Sequence, residues 1–225
     1  MNNKVKIQKL VGAASLLALV VVLQLLSNYV QFGPISITLA LIPISMGAIL
    51  YGPLVGLFLG LVMGAMVLVA PSTSFFLSYN VWFTILLCLV KSGLAGLISG
   101  LLFKGIMKIK AFKKGKFETS IIVASLVTPI VNTGIFIIGA LFLFTGLYSD
   151  TSNLGEALGA IVAATLTINF VIEFIISAVA SPALVYLTKV LAKQRNLGFQ
   201  KEFNIETKKD ESLTTKDVNS DNLFS

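Results

Sequence analysis

The sequence predicts an all-α integral membrane protein, a bundle of six transmembrane helices with both termini in the cytoplasm. Three observations carry that prediction. Hydrophobic residues fill 56% of the 225 positions and charged residues only 12%, with a mean hydropathy of +0.93. A soluble domain carries roughly 25% charged residues. The apolar residues lie in long continuous runs, without the alternation of barrel strands, and lipid tolerates only helices or closed barrels. Apart from Lys91 and the C-terminal segment, basic residues fall in alternate connections: Lys4, Lys6 and Lys9 precede the first run, six lysines lie from Lys104 to Lys116, and Lys189, Lys193 and Arg195 close the last run. The connections around Gln31, at 71–80 and at 146–155 hold no lysine or arginine. Positive charge stays on the cytoplasmic side, so an even number of spans fits all of these.

The first span covers residues 10–29. Its lysine-led start imitates a secretory signal, but the run is longer than a signal core and has no small-x-small cleavage site, so it reads as a retained helix. Ala14 and Ala18 form a small-xxx-small pair on one face, a pattern that lets another helix approach closely in lipid. Gln24 is a polar residue in its outer half. The second span, residues 35–50, is short, and Pro43 interrupts it by removing a backbone hydrogen bond. Tyr51-Gly52-Pro53 is a tight turn into the third span, residues 54–70. Gly52, Gly56, Gly60 and Gly64 recur every four residues and make one nearly flat face, for internal packing or for a partner protein.

Residues 71–80 form a polar connection with Phe75, Phe76 and Tyr79, followed by Trp82. These aromatics either form the interfacial belt or cap a binding cavity. In the second case Asn80 and Trp82 join the candidate binding residues. The fourth span, 81–106, carries Lys91. The fifth, 119–144, carries Thr128, Pro129, Asn132, Thr133 and Gly134; Asp150 and Glu156 flank the next connection. The sixth, 157–191, carries Asn169, Glu173 and Ser181-Pro182. Residues 1–195 are expected to form one transmembrane domain, and the polar residues 196–225 a disordered cytoplasmic tail.

The composition excludes several chemistries. The chain has no histidine and one cysteine, Cys88, which leaves no histidine-based triad, no paired-cysteine metal site and no internal disulfide. No metal or cofactor is expected. The net charge of +7 does not signal nucleic acid, because the lysines flank spans, where they set topology and meet anionic lipid.

Lys91 is the most informative residue. It lies about ten residues, or roughly 15 Å, from the first end of its span, beyond the reach of ordinary snorkelling. A charged side chain at that depth costs at least about 2.5–3.5 kcal/mol on insertion scales. Asn132, Thr133, Asn169 and Glu173 fall in the central regions of their own spans. Two readings follow. Lys91 and Glu173 form a buried strut, an arrangement that seldom adds net stability, or these residues line a polar pocket open to the outside. In such a pocket Lys91 binds a carboxylate, the asparagines bind hydroxyl or amide groups, and Glu173 completes the network. An intramembrane enzyme using Lys91 and Ser92 is poorly served, since adjacent helical residues point about 100° apart. A ligand-free membrane scaffold protein is a further alternative.

Several stretches resemble the substrate-binding S components of energy-coupling-factor (ECF) vitamin transporters. They are Gly33-Pro34-Ile35-Ser36-Ile37-Thr38-Leu39, Ile42-Pro43, and the run from Gly47 through Tyr51-Gly52-Pro53 to Gly56. Val90-Lys91-Ser92-Gly93, Pro129-Ile130-Val131-Asn132-Thr133-Gly134 and Asn169-Phe170-Val171-Ile172-Glu173 complete the match. The resemblance implies a small membrane subunit that captures a vitamin from outside and hands it to a transmembrane coupling protein and two cytoplasmic ATPases. It implies that Ala14 and Ala18 contact the coupling protein. The chain has no Walker A pattern and would not hydrolyse ATP itself. Within the family it looks most like the pantothenate type, whose solute carries one carboxylate beside hydroxyl and amide groups. Riboflavin, folate and hydroxymethylpyrimidine remain alternatives.

Overall fold

Apart from one minute hairpin, the described chain is helical, and the helices stack side by side around a common apolar core. The computed structural model describes residues 3–29, 31–32, 35–36, 38–109, 116–147 and 153–195. The helices are α1 (Asn3–Tyr29), α2 (Leu41–Tyr51), α3 (Pro53–Val67), α4 (Pro71–Tyr79), α5 (Val81–Lys108), α6 (Lys116–Leu147) and α7 (Asn153–Arg195). Between α1 and α2, β1 (Gln31–Phe32) pairs antiparallel with β2 (Ile35–Ser36), Gln31 opposite Ser36. By length and composition, four helices suffice to cross a bilayer, within α1, α5, α6 and α7; α3 with most of α4, bent by 75°, makes a fifth if taken as one span. The expected disordered tail at 196–225, Asp150, and Lys110, Lys113 and Lys114 lie outside the described residues.

The structure corrects two expected elements. The second span does not start at residue 35, because Ile35–Ser36 belongs to the hairpin; its helix starts at Leu41. Pro43 therefore sits in the first turn, where its missing N–H would have had no helical partner anyway. The polar connection at 71–79 is a helix. Ala70 is extended, Pro71 supplies the first helical φ, and the Thr73 hydroxyl donates to the Val67 carbonyl at 2.8 Å, tying α4 to the end of α3. Gly52 takes the turn expected at Tyr51-Gly52-Pro53, with φ +108°, a conformation that only glycine adopts freely, and so stands outside the helical ladder.

The remaining ladder glycines pack α3 against α5. A side chain on Gly56 would meet the Gly96 carbonyl at 2.5 Å, one on Gly64 the Cys88 carbonyl at 2.6 Å, and one on Gly60 would collide with the Ser92 carbonyl. The pairs Gly56–Gly96, Gly60–Ser92 and Gly64–Cys88 step in opposite directions by four residues, so the two helices run antiparallel with backbones in contact. Gly100 continues the seam against Pro53, where an added Cβ would stand 2.7 Å from the Pro53 Cα. This contact fixes the rotation of α5. With the Ser92 backbone carbonyl against α3, the side chains of Ser92 and Lys91 both reach α6, at Asn132 and Phe136.

Leu16 and Val20 of α1, Leu41 and Ile44 of α2, Leu59 and Met63 of α3, Ile121 of α6 and Leu184 of α7 belong to the buried apolar cluster. Prolines inside α6 (Pro129) and α7 (Pro182) each remove one helical hydrogen bond. At Pro182 the freed carbonyl of Ala178 is not wasted: the Ser181 hydroxyl donates to it at 2.8 Å. At one end of the bundle, Lys104 of α5 approaches the α2–α3 turn, its Nζ 3.7 Å from where a Cβ on Gly52 would stand. Lys189 of α7 pairs with Glu118 of α6.

Candidate functional site

At the other end, a partly open pocket is built from six helices and the segment leading into α2. Gln24 and Asn28 come from α1, Thr38 from the approach to α2, and Val67 from the end of α3. Ser72, Thr73 and Phe76 of α4 form one wall. Lys91 of α5, Asn132, Thr133 and Phe136 of α6, and Asn169 and Glu173 of α7 form the rest. The five polar residues expected to cluster from their depth in the spans therefore do meet around one cavity.

Lys91 is only 7% exposed. Its Nζ lies over the Phe136 ring, 4.0 Å from the centroid, and Phe136 packs edge to face with Phe76, their centroids 5.1 Å apart. A cation over a desolvated aromatic face gains about 2 kcal/mol. Glu173, 2% exposed, lines the same pocket, yet the two make no ion pair; the ion pair found among the described residues is Lys189–Glu118. The Lys91 charge still acts on Glu173, without direct contact between the two.

Glu173 instead takes neutral donors. The Thr133 hydroxyl donates to its Oε2 at 2.9 Å and the Asn169 Nδ2 to its Oε1 at 3.4 Å. The hydroxyl and backbone amide of Thr38 also reach the carboxylate. Asn132 Oδ1 accepts from the Ser92 hydroxyl at 3.4 Å. On α1, Gln24 Nε2 donates to Asn28 Oδ1 at 2.9 Å, and Asn28 Nδ2 to the Met66 carbonyl at 3.3 Å. Gln24 Oε1 and Asn169 Oδ1 are buried with no partner.

Two expected residues stand elsewhere. Asn80 is the N-cap of α5, its side chain accepting from the Phe83 amide at 3.1 Å, and it does not line the pocket. Trp82 is 83% exposed and stands apart from it; among the aromatics of this stretch, Phe76 reaches the cavity. Ala14 and Ala18 are exposed on α1.

A family model described as ECF transporter, substrate-specific component, matches residues 8–185. The chain belongs to that family. It is a multi-pass membrane protein and a substrate-binding subunit of an ECF transporter, a transport component rather than an enzyme, working with the other components of the ECF module. No curated protein and no solved structure was found to match it.

For this substrate-specific component, sequence reasoning left out of the site Gln24, Asn28, Thr38 and Phe136. A signal existed for the first two. Gln24 and Asn28 are i, i+4 neighbours and stand in the last turns of an otherwise apolar helix. Phe136 carries no comparable signal, since one phenylalanine in an apolar span is indistinguishable from the rest.

Proposed function

We propose that this protein is the pantothenate-binding subunit of an ECF importer in the cell membrane. Lys91 carries the reading. It is a buried ammonium lining a polar pocket, with an aromatic ring and no carboxylate in contact. Desolvating an ion costs several kcal/mol, which a cation–π contact of about 2 kcal/mol does not offset. A solute carboxylate in the pocket would complete its environment. Asn132, Thr133, Asn169 and Glu173 then meet the solute's hydroxyl and amide groups. Asn80 and Trp82 have no part in this assignment.

The reading extends to topology and partners. The chain crosses six times, with α2 as the short span of about 16 Å. Thr38, just before α2, lines the pocket, whereas Gly52, just after it, lies beside Lys104; this supports a crossing from the pocket side to the basic side. Both termini are then cytoplasmic and the pocket faces outward. Ala14 and Ala18 contact a transmembrane coupling protein, which works with two cytoplasmic ATPases.

The test is titration calorimetry on the purified full-length protein with pantothenate, riboflavin, folate and hydroxymethylpyrimidine, beside mass spectrometry of co-purified small molecules. Pantothenate is expected to bind most tightly. Binding of another of the four in its place would remove pantothenate and keep the transport role. Binding of none would favour a ligand-free scaffold.

A further inference from the structure

We infer that the solute carries at least two hydrogen-bond donors besides its anionic group, and that Gln24 on α1 and Asn169 on α7 are the acceptors that select them. The inference rests on the pocket being the solute site. It begins with which end of each amide is free. The Met66 carbonyl can only accept, so Asn28 must offer it the NH2 group, as it does at 3.3 Å. Asn28 Oδ1 is thereby turned to Gln24, which answers with Nε2 at 2.9 Å. What Gln24 has left is Oε1, an acceptor, buried on a residue only 3% exposed and without a partner. Asn169 repeats the arrangement on α7: its Nδ2 is committed to Glu173 Oε1 at 3.4 Å, and its Oδ1 is buried and unpartnered.

Among the described residues, three buried side-chain polar atoms have no partner, and two of them, Gln24 Oε1 and Asn169 Oδ1, belong to residues lining this pocket. Buried acceptors left unmatched are costly. A site built to receive donors strongly rejects an analogue that lacks them, because its own polar atoms are then left stripped of water. The pocket thus selects two properties at once: negative charge at Lys91, and hydroxyl or N–H groups at Gln24 and Asn169. A plain monocarboxylate satisfies only the first. Asn28 is a positioning residue, since by taking the Gln24 NH2 it decides that Oε1 is the free end of that amide.

The test uses full-length protein in detergent. Wild type, Gln24→Met and Asn169→Leu are titrated with pantothenate and with three analogues, two with one hydroxyl replaced by hydrogen and one with the amide N–H methylated. The other three vitamins are titrated in parallel, and each protein is melted without ligand. Wild type should bind at least one analogue about 10-fold more weakly than pantothenate, and each variant should lose about 10-fold in pantothenate affinity while its penalty against one analogue shrinks below about 3-fold. Equal binding of pantothenate and all analogues by wild type overturns the inference whether or not the variants fold, and leaves the choice of pantothenate standing. Unchanged affinity and unchanged discrimination in a variant, with lowered ligand-free melting, overturns it for that residue by making it a strut. If wild type ignores pantothenate but binds another vitamin that Gln24→Met weakens about 10-fold, pantothenate falls and the acceptor assignment stands. If that binding is unmoved by either variant, or if wild type binds none of the four, both fall.

Discussion

Lys91 and Glu173 show how much a residue's meaning depends on its immediate partners. Both are buried and line one cavity, yet each is served by different neighbours: Lys91 by the Phe136 ring, Glu173 by Thr133 and Asn169. The Thr133 hydroxyl donates to the carboxylate at 2.9 Å. Thr133→Val keeps the shape and removes that donor. Hydrogen bonds to charged groups contribute about 1.5–3 kcal/mol, so the variant should melt several degrees lower without ligand. Thermal unfolding followed by circular dichroism checks this; an unchanged melting temperature would mean that Thr38 and Asn169 suffice. The polar set itself was legible in the sequence, because a lysine, a glutamate and two asparagines deep in apolar runs have few alternatives to facing one another. Gln24 was visible only as a polar residue, and its role depends on the Asn28–Met66 chain of contacts, which joins α1 to α3 across 38 positions.

Among the elements, α3 and α5 form the seam on which the site is hung. Their glycines repeat every four residues, and that period alone announced a close helix contact; only the structure names the partner, through Gly96, Ser92 and Cys88. Gly60→Ala should lower stability, since its Cβ meets the Ser92 carbonyl, and Gly60→Leu should prevent folding. Gly105→Ala is the control: nothing lies within 4 Å of the added carbon, and replacing a helical glycine gains up to roughly 0.5–1 kcal/mol. Melting curves of Gly60→Ala and Gly105→Ala should therefore move in opposite directions, and a Gly60→Ala protein as stable as wild type would dissolve the seam. The elements that escaped the sequence reading are α4 and the β1–β2 hairpin. Pro, Ser and Thr at 71–74 signal a loop, but the same Pro71 starts a helix, and a two-residue strand pair has too few residues for any period to register.

For the molecule as a whole, the claims are its orientation and its two working faces. In a Cys88→Ser background, a cysteine placed at Lys9 should react with a membrane-impermeant maleimide only after the cells are opened, and one placed at Ser74, exposed on α4, should react on intact cells. The reverse pattern would invert the topology. Ala14→Trp and Ala18→Trp, on the exposed side of α1, should leave vitamin binding to the isolated protein intact and abolish uptake in cells that supply the coupling module; normal uptake in both would leave that face to lipid. The account as a whole depends on Lys91 serving a solute rather than the fold. Titration calorimetry with pantothenate on wild type and Lys91→Met, beside melts of both without ligand, measures this directly. The account predicts a loss of roughly 2–5 kcal/mol in binding, the usual size for a truncated buried charge contact, with little change in ligand-free melting. Unchanged affinity together with a lowered melting temperature would contradict it.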